Sequence, residues 1–155
     1  MQHLISDIHS LLIKNKKTVA VAESCTGGLL SILLTKTCGS SKYFILGIVA
    51  YSNRIKEDIL KVPSRLIVKK GAASQETAKR MAQEVRKLAK TDLGIGITGI
   101  AGPTGGTTEK PVGTVFIAIA RKDKKICKKF IFTGNRSAIR KKSALKTLEL
   151  LKILI

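Results

Sequence analysis

The sequence has few of the residues that build metal centres, disulfide frameworks and base-stacking surfaces. Its 155 residues include no Trp, four Phe, two Tyr, three Cys and two His. The cysteines, Cys25, Cys38 and Cys127, are widely spaced without a Cys-x-x-Cys pair, and His3 and His9 both lie near the N-terminus. We therefore expect no disulfide framework, no zinc or other metal centre and no cofactor. The scarcity of aromatic residues also argues against a stacking surface for single-stranded nucleic acid.

Long apolar runs are absent too. No segment reaches the roughly 18 uninterrupted apolar residues that a membrane-spanning helix needs. The N-terminal stretch "MQHLISDIHSLLIKNKK" places its lysines after its apolar residues, unlike a signal peptide. We expect a cytoplasmic protein with no membrane association, and at this length a single domain with a real core.

Acidic residues are scarce: 10 Asp and Glu face 29 Lys and Arg, which gives a net charge of +19. Such a charge attracts nucleic acid through its phosphates, or it steers small anionic substrates toward the protein. A third interpretation is mutational drift in an AT-rich genome, since Lys outnumbers Arg 22 to 7 and Ile occurs 19 times. Because the lysines are scattered along the chain, we favour a solvated basic surface and do not expect nucleic acid as the partner.

Apolar periodicity predicts an alternation of strands and helices. The predicted helices span about residues 2 to 14, 27 to 36, 54 to 61, 74 to 90 and 135 to 155. The predicted strands lie in "TVAVAE", "YFILGIVAYS" and "DLGIGIT", and two more lie in "GTVFIAIARKDKKICKKFIF". The second helix is apolar all round and is expected to be buried, and Leu88 is expected on the inward stripe of the fourth. The pattern predicts an α/β fold, a three-layer α/β/α sandwich with a mixed sheet, as a single domain over 1–155.

Three polar interruptions each follow a predicted strand: "ESCTGG" (23–28), "YSNRIK" (51–56) and "TGIAGPTGGTTEKPVG" (98–113). In open α/β sheets, ligands bind at the carboxyl ends of the strands. The three interruptions are therefore expected to converge on one site.

The first interruption places Ser24 and Cys25 beside the start of a predicted helix. Unpaired N–H groups there favour an oxyanion or a phosphate, and Gly27 and Gly28 let a substrate approach the backbone. A thiol in this position is expected to be acidified, which keeps Cys25 as a rival to Ser24 for the nucleophile. The alternative is a plain hydroxyl cap in a tight turn.

The second interruption places Lys56 in the first turn of a short helix, where the helix dipole disfavours a cation. The dipole and the surrounding positive charge lower the pKa of a lysine, as a general base requires, but a drop of about 3 units from about 10.4 costs about 4 kcal/mol. Burial must supply most of that. Tyr51 could relay a proton or orient the substrate. The alternative is a surface lysine beside a tyrosine at the edge of the core.

The third interruption is a glycine-rich loop around Pro103. It lacks the Gly-Lys-Ser/Thr of a Walker loop, and a strand follows it, which excludes a dinucleotide fingerprint. Successive backbone N–H groups in such a loop can bind an anion. A disordered linker is the competing interpretation.

The three interruptions in this order resemble the C-terminal domain of the CinA family, the competence/damage-inducible proteins. The matching segments are "AESCTGGLL", "GSSKYFILGIVAYSN", "GAASQETAKRMA", "TGIAGPTGGTTEKPVGTVFIA" and "FTGNRSAIRKKS". They run from about residue 18 to 145, so the likeness covers nearly the whole chain, and the molybdopterin-binding-like module of longer family members is expected to be absent. The resemblance implies a three-layer α/β/α fold and hydrolysis of nicotinamide mononucleotide to nicotinate mononucleotide and ammonia.

The resemblance also implies roles for individual residues. Ser24 takes the position of the nucleophile, Lys56 that of the general base, and Tyr51 assists. Combined with the turn and the glycine loop, it leads us to expect a substrate site formed by Thr26, Gly27, Gly28, Ser41, Thr98, Gly99, Gly105, Gly106, Arg136 and Arg140. Among these, Arg140 is an alternative to Arg136 as the anion ligand.

Two positions depart from the family pattern, and other functions stay open. Asn135 and Thr104 stand where Asp is expected in relatives; the first puts the orientation of Arg136 in question. A pyridine nucleotide is the expected small-molecule partner, and a homo-oligomer is expected. The alternatives are a basic nucleic-acid-associated accessory domain linked to competence or DNA damage, and a catalytically silent assembly domain.

Overall fold

The computed structural model describes residues 2–155. The helices are α1 (Gln2–Lys14), α2 (Leu29–Thr35), α3 (Asn53–Asp58), α4 (Ser64–Lys70), α5 (Gln75–Ala89) and α6 (Arg136–Leu154), and a 3₁₀ turn spans Ser40–Lys42. The strands are β1 (Val19–Glu23), β2 (Phe44–Val49), β3 (Leu93–Gly99), β4 (Thr114–Ala120) and β5 (Lys125–Ile131). Within this part of the chain, no helix is both long and apolar enough to cross a bilayer.

The five strands form one sheet in the order β2-β1-β3-β4-β5. Strand β1 is parallel to both β2 and β3, while β4 is antiparallel to β3 and β5. The predicted mixed sheet is confirmed. The parallel part consists of β2, β1 and β3, so the three strands that carry the polar interruptions all end at one edge of the sheet.

Side chains alternate across the sheet and fill two layers. Val19 and Val21 of β1 belong to the cluster that also contains residues of α1, α2 and α6. Ala20 and Ala22 of the same strand belong to the cluster on the other side, with residues of α4 and α5. The predicted α/β/α sandwich is thereby confirmed, and β1 is buried on both faces.

Helix α5 lies very close to the sheet because β3 presents glycine on that face. A Cβ added at Gly96 would lie 2.6 Å from Ala82 N and closer still to the carbonyl oxygen of Ala78. Both neighbours are backbone atoms of α5, which cannot turn aside as a flexible side chain would. The glycines of "DLGIGIT" therefore set the distance between the helix and the sheet.

We expect Gly96→Ala to lower the free energy of unfolding by about 3 kcal/mol or more, because the helix must move away from a close-packed sheet. Urea denaturation monitored by circular dichroism measures the change. Leu88→Ala is the control: Leu88 is 54% exposed on the same helix, and its truncation should change stability by less than about 1 kcal/mol. Equal effects of the two substitutions would contradict this account of the packing.

Three local expectations from the sequence are wrong. Helix α2 is not buried all round: Leu30 and Leu34 pack into the core, but Ile32 is 62% exposed. Leu88 faces solvent rather than the sheet. The helix α4 was not predicted because its apolar residues give too short a pattern, between Pro63 and Gly71. Apolar composition indicates which side chains can be buried, whereas the neighbouring elements decide which are.

Candidate active site

The carboxyl ends of β1, β2 and β3 open onto one cleft of about 280 Å³. It is lined by Ser24, Cys25, Tyr51, Asn53, Lys56, Ala72, Ala73, Thr98, Gly99, Ile100, Ala101 and Arg136. All three predicted catalytic residues are in this set, together with Thr98, Gly99 and Arg136 of the predicted substrate site. Residues that are far apart in the sequence are brought together because three parallel strands end side by side.

Ser24 is held in a tight turn that leaves the end of β1. Its backbone N–H donates to Ile97 O at 2.9 Å, and its carbonyl accepts from Gly27 N at 3.1 Å. Gly27 and Gly28 have φ values of 58° and 94°, a conformation that favours glycine. Ser24 is 8% exposed, at the surface of the cleft. The two glycines thus let the chain turn sharply from strand to helix with the hydroxyl at the cleft.

Glu23 organises this turn. Its carboxylate is fully buried and accepts four hydrogen bonds, from the N–H groups of Gly28, Leu30 and Ser31 and from the Ser31 hydroxyl, at 2.7 to 3.1 Å. The carboxylate therefore caps the N-terminus of α2 by accepting hydrogen bonds from N–H groups that have no partner within the helix. Glu23 is not among the residues for which the sequence predicts a role. The signal was present, since a carboxylate directly after four apolar strand residues must find partners if it is buried.

This arrangement corrects the expected source of oxyanion donors. The N–H groups of Gly27, Gly28 and Leu29 already donate within the protein, to Ser24 O, to Glu23 and to Thr26 O. Those N–H groups are not free for a substrate, so the expectation that they would bind it is wrong. The N–H groups of Cys25 and Thr26, at the centre of the turn, donate to no other residue among residues 2–155. They are the backbone donors next to the Ser24 hydroxyl.

We expect Glu23→Gln to lower the free energy of unfolding by about 2 kcal/mol or more, because an amide offers one acceptor oxygen where the carboxylate offers two, and buried N–H groups lose their partner. Urea denaturation measures the loss. Glu109→Gln, at an exposed position, is the matched control and should leave stability unchanged within about 0.5 kcal/mol. A Glu23→Gln protein as stable as the control would show that the carboxylate does not hold the turn.

Lys56 is the most unusual side chain of the cleft. It is 1% exposed, and its Nζ donates to Ala50 O at 2.8 Å and to Tyr51 O at 3.0 Å. Burial lowers the pKa of this amine, while the nearby Cys25 acts in the opposite direction. Burial is thus the main cause of the lowered pKa, in agreement with the expectation that the helix dipole and nearby charges are too weak to lower it enough by themselves. No hydrogen bond joins Lys56 Nζ to the Ser24 hydroxyl, although both residues line the same cleft.

The hydrogen bonds of Lys56 also fix which part of the nitrogen is free. A neutral amine has two N–H groups and one lone pair. Two carbonyls accept from Nζ, so the neutral form satisfies both with its two N–H groups and still has a lone pair that can accept a proton. The protonated form places a third N–H in the same position. The site can therefore take up and return one proton without rearranging.

Cys25 lies beside Ser24 but in a different environment. It is 6% exposed, and burial raises the pKa of its thiol to about 12, with Glu23 adding to the rise. The expectation of an acidified thiol at a helix N-terminus is wrong, because the donors of α2 are already bonded to Glu23. At neutral pH this thiol stays protonated and is a poor nucleophile.

Arg136, the first residue of α6, is fixed above the cleft. Its Nη1 donates to Gly102 O of the glycine loop at 2.8 Å, and its Nη2 donates to the Tyr51 hydroxyl at 2.7 Å. Asn135 caps α6 by accepting from Ala138 N at 2.9 Å, as an Asp would. The orientation of Arg136 is therefore fixed by the loop and Tyr51, with the helix start preserved despite the departure from the family pattern.

The other expected substrate residues divide into those at the cleft and those near it. Thr98 lines the cleft and donates to Ala72 O at 2.8 Å. Thr26 is buried, and its carbonyl accepts from Arg140 at 2.9 Å. Arg140 thus holds the turn through its hydrogen bond to the Thr26 carbonyl and does not line the cleft. Thr104 lies exposed at the tip of the glycine loop.

The glycine loop forms a second hollow that adjoins the cleft. Gly105 lines it together with Thr107 and Lys110, and the cleft and this hollow share Ala73 and Ile100. Gly106 packs against Val112, where an added Cβ would lie 2.7 Å from the Val112 nitrogen. The first residues of the loop therefore line the cleft together with Ser24, and the part around Gly105 extends it on one side.

The expectation that Ser41 lines the cleft is wrong for a single chain. Ser41 lies in the 3₁₀ turn that precedes β2, and the first residue of β2 pairs with the first residue of β1. Ser41 is thus at the amino end of the parallel strands, whereas Ser24 is at their carboxyl end. The motif "GSSKYF" precedes a strand instead of following one, and strand direction alone places it on the far side.

Among residues 2–155, no group of three or more His, Cys, Asp and Glu side chains is arranged to hold a metal ion.

Comparison with known proteins gives a consistent picture. The model of the CinA C-terminal domain matches residues 1–155. A putative competence-damage inducible protein of Thermoanaerobacter pseudethanolicus is 52% identical over 142 residues, which are 92% of this chain and 34% of the relative. A CinA-like protein of Thermotoga maritima is 50% identical over 142 residues, 92% of this chain and 35% of the relative. The chain thus spans about a third of the length of these curated relatives.

Solved structures agree with the sequence relatives. The competence/damage inducible protein CihA of Agrobacterium tumefaciens superimposes with a TM-score of 0.95 and 34% identity, over 98% of this chain and 93% of that one. The competence damage-inducible protein A of Klebsiella pneumoniae gives a TM-score of 0.94 and 28% identity, over 97% and 94% of the two chains.

Proposed function

Because this chain belongs to the CinA C-terminal domain family, we propose that it is an amidohydrolase that converts nicotinamide mononucleotide to nicotinate mononucleotide and ammonia. The observation that carries the proposal is the buried Lys56, whose pKa is lowered by burial, in one cleft with the Ser24 hydroxyl. A serine activated by a neutral lysine is a recurrent arrangement for acyl transfer. The reaction would serve the recycling of pyridine nucleotides.

The first step forms a bond between Ser24 Oγ and the carboxamide carbon, while the hydroxyl proton passes to the lone pair of Lys56. Hydrogen bonds between catalytic groups often form or shorten only when substrate is bound. The proposed proton transfer is therefore compatible with a substrate-free structure in which Ser24 and Lys56 share no hydrogen bond. The carboxamide oxygen, on which negative charge develops, accepts hydrogen bonds from the N–H groups of Cys25 and Thr26.

The second step breaks the carbon–nitrogen bond. The protonated Lys56 returns its proton to the leaving nitrogen, which departs as ammonia and leaves an ester on Ser24. Water then adds to the ester carbon with Lys56 again accepting a proton, and the carbon–oxygen bond to Ser24 breaks as Ser24 regains its hydrogen. The resulting carboxylic acid loses its remaining proton to solvent and leaves as the carboxylate, and the free enzyme is restored.

Arg136 is the proposed ligand of the substrate phosphate. A guanidinium has five N–H donors, and two of its nitrogens already donate, to Gly102 O and the Tyr51 hydroxyl. Those bonds fix the plane of the group and leave other donors for an anion, which Arg binds in a bidentate manner. Tyr51 thus acts in this proposal by orienting Arg136, and the hollow beside Gly105 and Lys110 offers room next to it.

The proposal is tested by measuring ammonia release from nicotinamide, nicotinamide riboside and nicotinamide mononucleotide. We expect turnover of the mononucleotide with a kcat/KM at least about 100-fold above that of the riboside, since the phosphate adds a charge-assisted contact. The same rate is expected in the presence of EDTA. A purified, folded protein that releases ammonia from none of the three would refute the proposed function. Homo-oligomerisation stays a prediction that light scattering would measure.

A further inference from the structure

A second concave surface lies at the end of the sheet opposite the cleft. Two hollows, of about 350 and 170 Å³, share Arg86, Arg121, Lys122 and Asp123 and form one continuous depression. We call it the cationic groove; its charged lining consists of Lys17, Arg86, Lys87, Lys90, Arg121, Lys122, Lys124 and Lys125, with Asp92 and Asp123. Eight cationic side chains thus face two carboxylates in one depression.

The groove is separate from the catalytic cleft. Leu93, the first residue of β3, lines the groove, whereas Thr98 and Gly99 at the end of that strand line the cleft. Six residue steps along a strand span about 20 Å. Any ligand of the groove therefore binds without touching Ser24 or Lys56.

Internal contacts satisfy only part of this charge. Asp92 accepts from the backbone N–H and the hydroxyl of Thr18, both at 2.9 Å, and lies 3.7 Å from Lys17. Lys87 pairs with Glu84 at 3.2 Å. Arg86 donates to the carbonyl of Thr91. The Asp92 carboxylate is therefore already bonded to Thr18 and paired with Lys17, and most of the cationic side chains of the groove have no carboxylate beside them.

Six cations of the groove have no carboxylate partner within residues 2–155. Arg86 and Lys125 donate to the Thr91 carbonyl and the Gln83 amide oxygen, whereas four side chains donate to no atom of these residues: Lys90, Arg121, Lys122 and Lys124. Three of them are in the turn between β4 and β5, and Lys90 ends α5. Like charges held in a concave surface repel each other more than the same charges spread over a convex one. A multiply charged anion in the groove would relieve that repulsion.

We propose that the cationic groove binds the oligophosphate group of a small molecule. Arg86 and Arg121, two of the seven arginines of the chain, face the same depression, and a guanidinium binds phosphate oxygens in a bidentate manner. Mutational drift toward lysine does not account for these arginines. The groove contains no aromatic side chain on which a nucleobase would stack, so the phosphates are the recognised part.

The chemistry favours a short phosphate chain over a nucleic acid backbone. The cations are concentrated in one depression of limited size, with Asp92 and Asp123 among its lining residues. A duplex needs positive charge spread over several phosphates along a wider surface. The proposal is independent of the amidohydrolase activity, since the two sites lie at opposite ends of β3.

The test is titration calorimetry of the full chain with inorganic tripolyphosphate at low and moderate salt. The groove variant is Arg121→Gln/Lys122→Gln, at two exposed positions. The matched control is Lys128→Gln/Lys129→Gln, which removes the same charge from exposed positions of β5. We expect the groove variant to bind tripolyphosphate at least about 10-fold more weakly and the control to bind within about twofold of the parent protein.

Two results would overturn the proposal. Equal weakening in both variants would show that tripolyphosphate responds to net charge alone. Binding of a short DNA duplex that depends on Arg121 and Lys122, without comparable binding of tripolyphosphate, would assign the groove to nucleic acid instead. Ammonia release by the groove variant should equal that of the parent protein, so failure of the groove proposal and failure of the proposed function are separately visible.

Discussion

Ser24→Ala should lower kcat for nicotinamide mononucleotide by at least about a thousandfold, because in the proposed mechanism it removes the oxygen that attacks the carboxamide carbon. The hydroxyl is at the surface of the cleft and takes no part in the backbone bonds that hold the turn, which run through Ser24 N and O. The fold and the affinity for the mononucleotide should therefore persist. Ammonia release gives the rate, and calorimetry with the intact substrate gives the affinity.

Cys25→Ala is the matched control for this prediction. The adjacent thiol has a pKa raised to about 12 by burial, so it carries almost no thiolate at neutral pH, and its removal should change kcat by less than about threefold. The assignment of Ser24 fails if the two substitutions exchange these outcomes, with Cys25→Ala inactive and folded and Ser24→Ala active.

The sequence was a good guide to the sheet because its strands carry their environment in their composition. Val19 and Val21 alternate with Ala20 and Ala22, and both sets are buried. A strand apolar on both faces indicates a sheet covered by helices on both sides. The charged turn after Ala120 likewise marked the antiparallel pair β4 and β5. These signals are local, and they were sufficient for the fold.

The site was harder to predict where a role depends on distant contacts. The positions of Ser24, Lys56 and Arg136 at one cleft agree with the direction of the parallel strands. Their hydrogen bonds did not follow from the sequence: the Tyr51 hydroxyl accepts from Arg136, 85 positions away. Spacing can place a side chain at a strand end, but it does not show which donor reaches it from another element.

Glu23 and Cys25 show how one unrecognised contact changes a neighbour's chemistry. The sequence pattern predicts unpaired N–H groups at the start of α2, and unpaired N–H groups there would lower the pKa of the Cys25 thiol. The buried Glu23 carboxylate accepts from those groups instead, and burial is the main cause that raises the pKa of the thiol. Together with the carbonyls of Ser24 and Thr26, the same carboxylate limits the backbone donors available to a substrate to Cys25 and Thr26. A buried acid at a strand end therefore decides which atoms of the turn can act.

Lys56→Met is the second prediction with a large effect. It keeps the length of the side chain in its buried channel but removes the nitrogen, so kcat should fall by about 10² to 10⁴, the usual contribution of a general base. In the parent protein, kcat/KM should rise with pH through the lowered pKa of Lys56, since only the neutral amine accepts the Ser24 proton. Lys69→Met, at an exposed position, should leave both the rate and its pH dependence unchanged.

The same substitution gives a stability test that does not depend on the reaction. Burial lowers the pKa of Lys56 in the folded protein below its usual 10.5, so between these two values the unfolded chain binds more protons than the folded one. The unfolding free energy of the parent protein should therefore rise with pH across that window, by at most about 1.4 kcal/mol per pH unit for one proton, and stay flat below it. Urea denaturation from pH 7 to pH 10 should show this rise in the parent protein and in Lys69→Met, and its absence in Lys56→Met. Parallel curves for all three proteins would mean that Lys56 keeps an ordinary pKa, and the proposed base would lose its physical support.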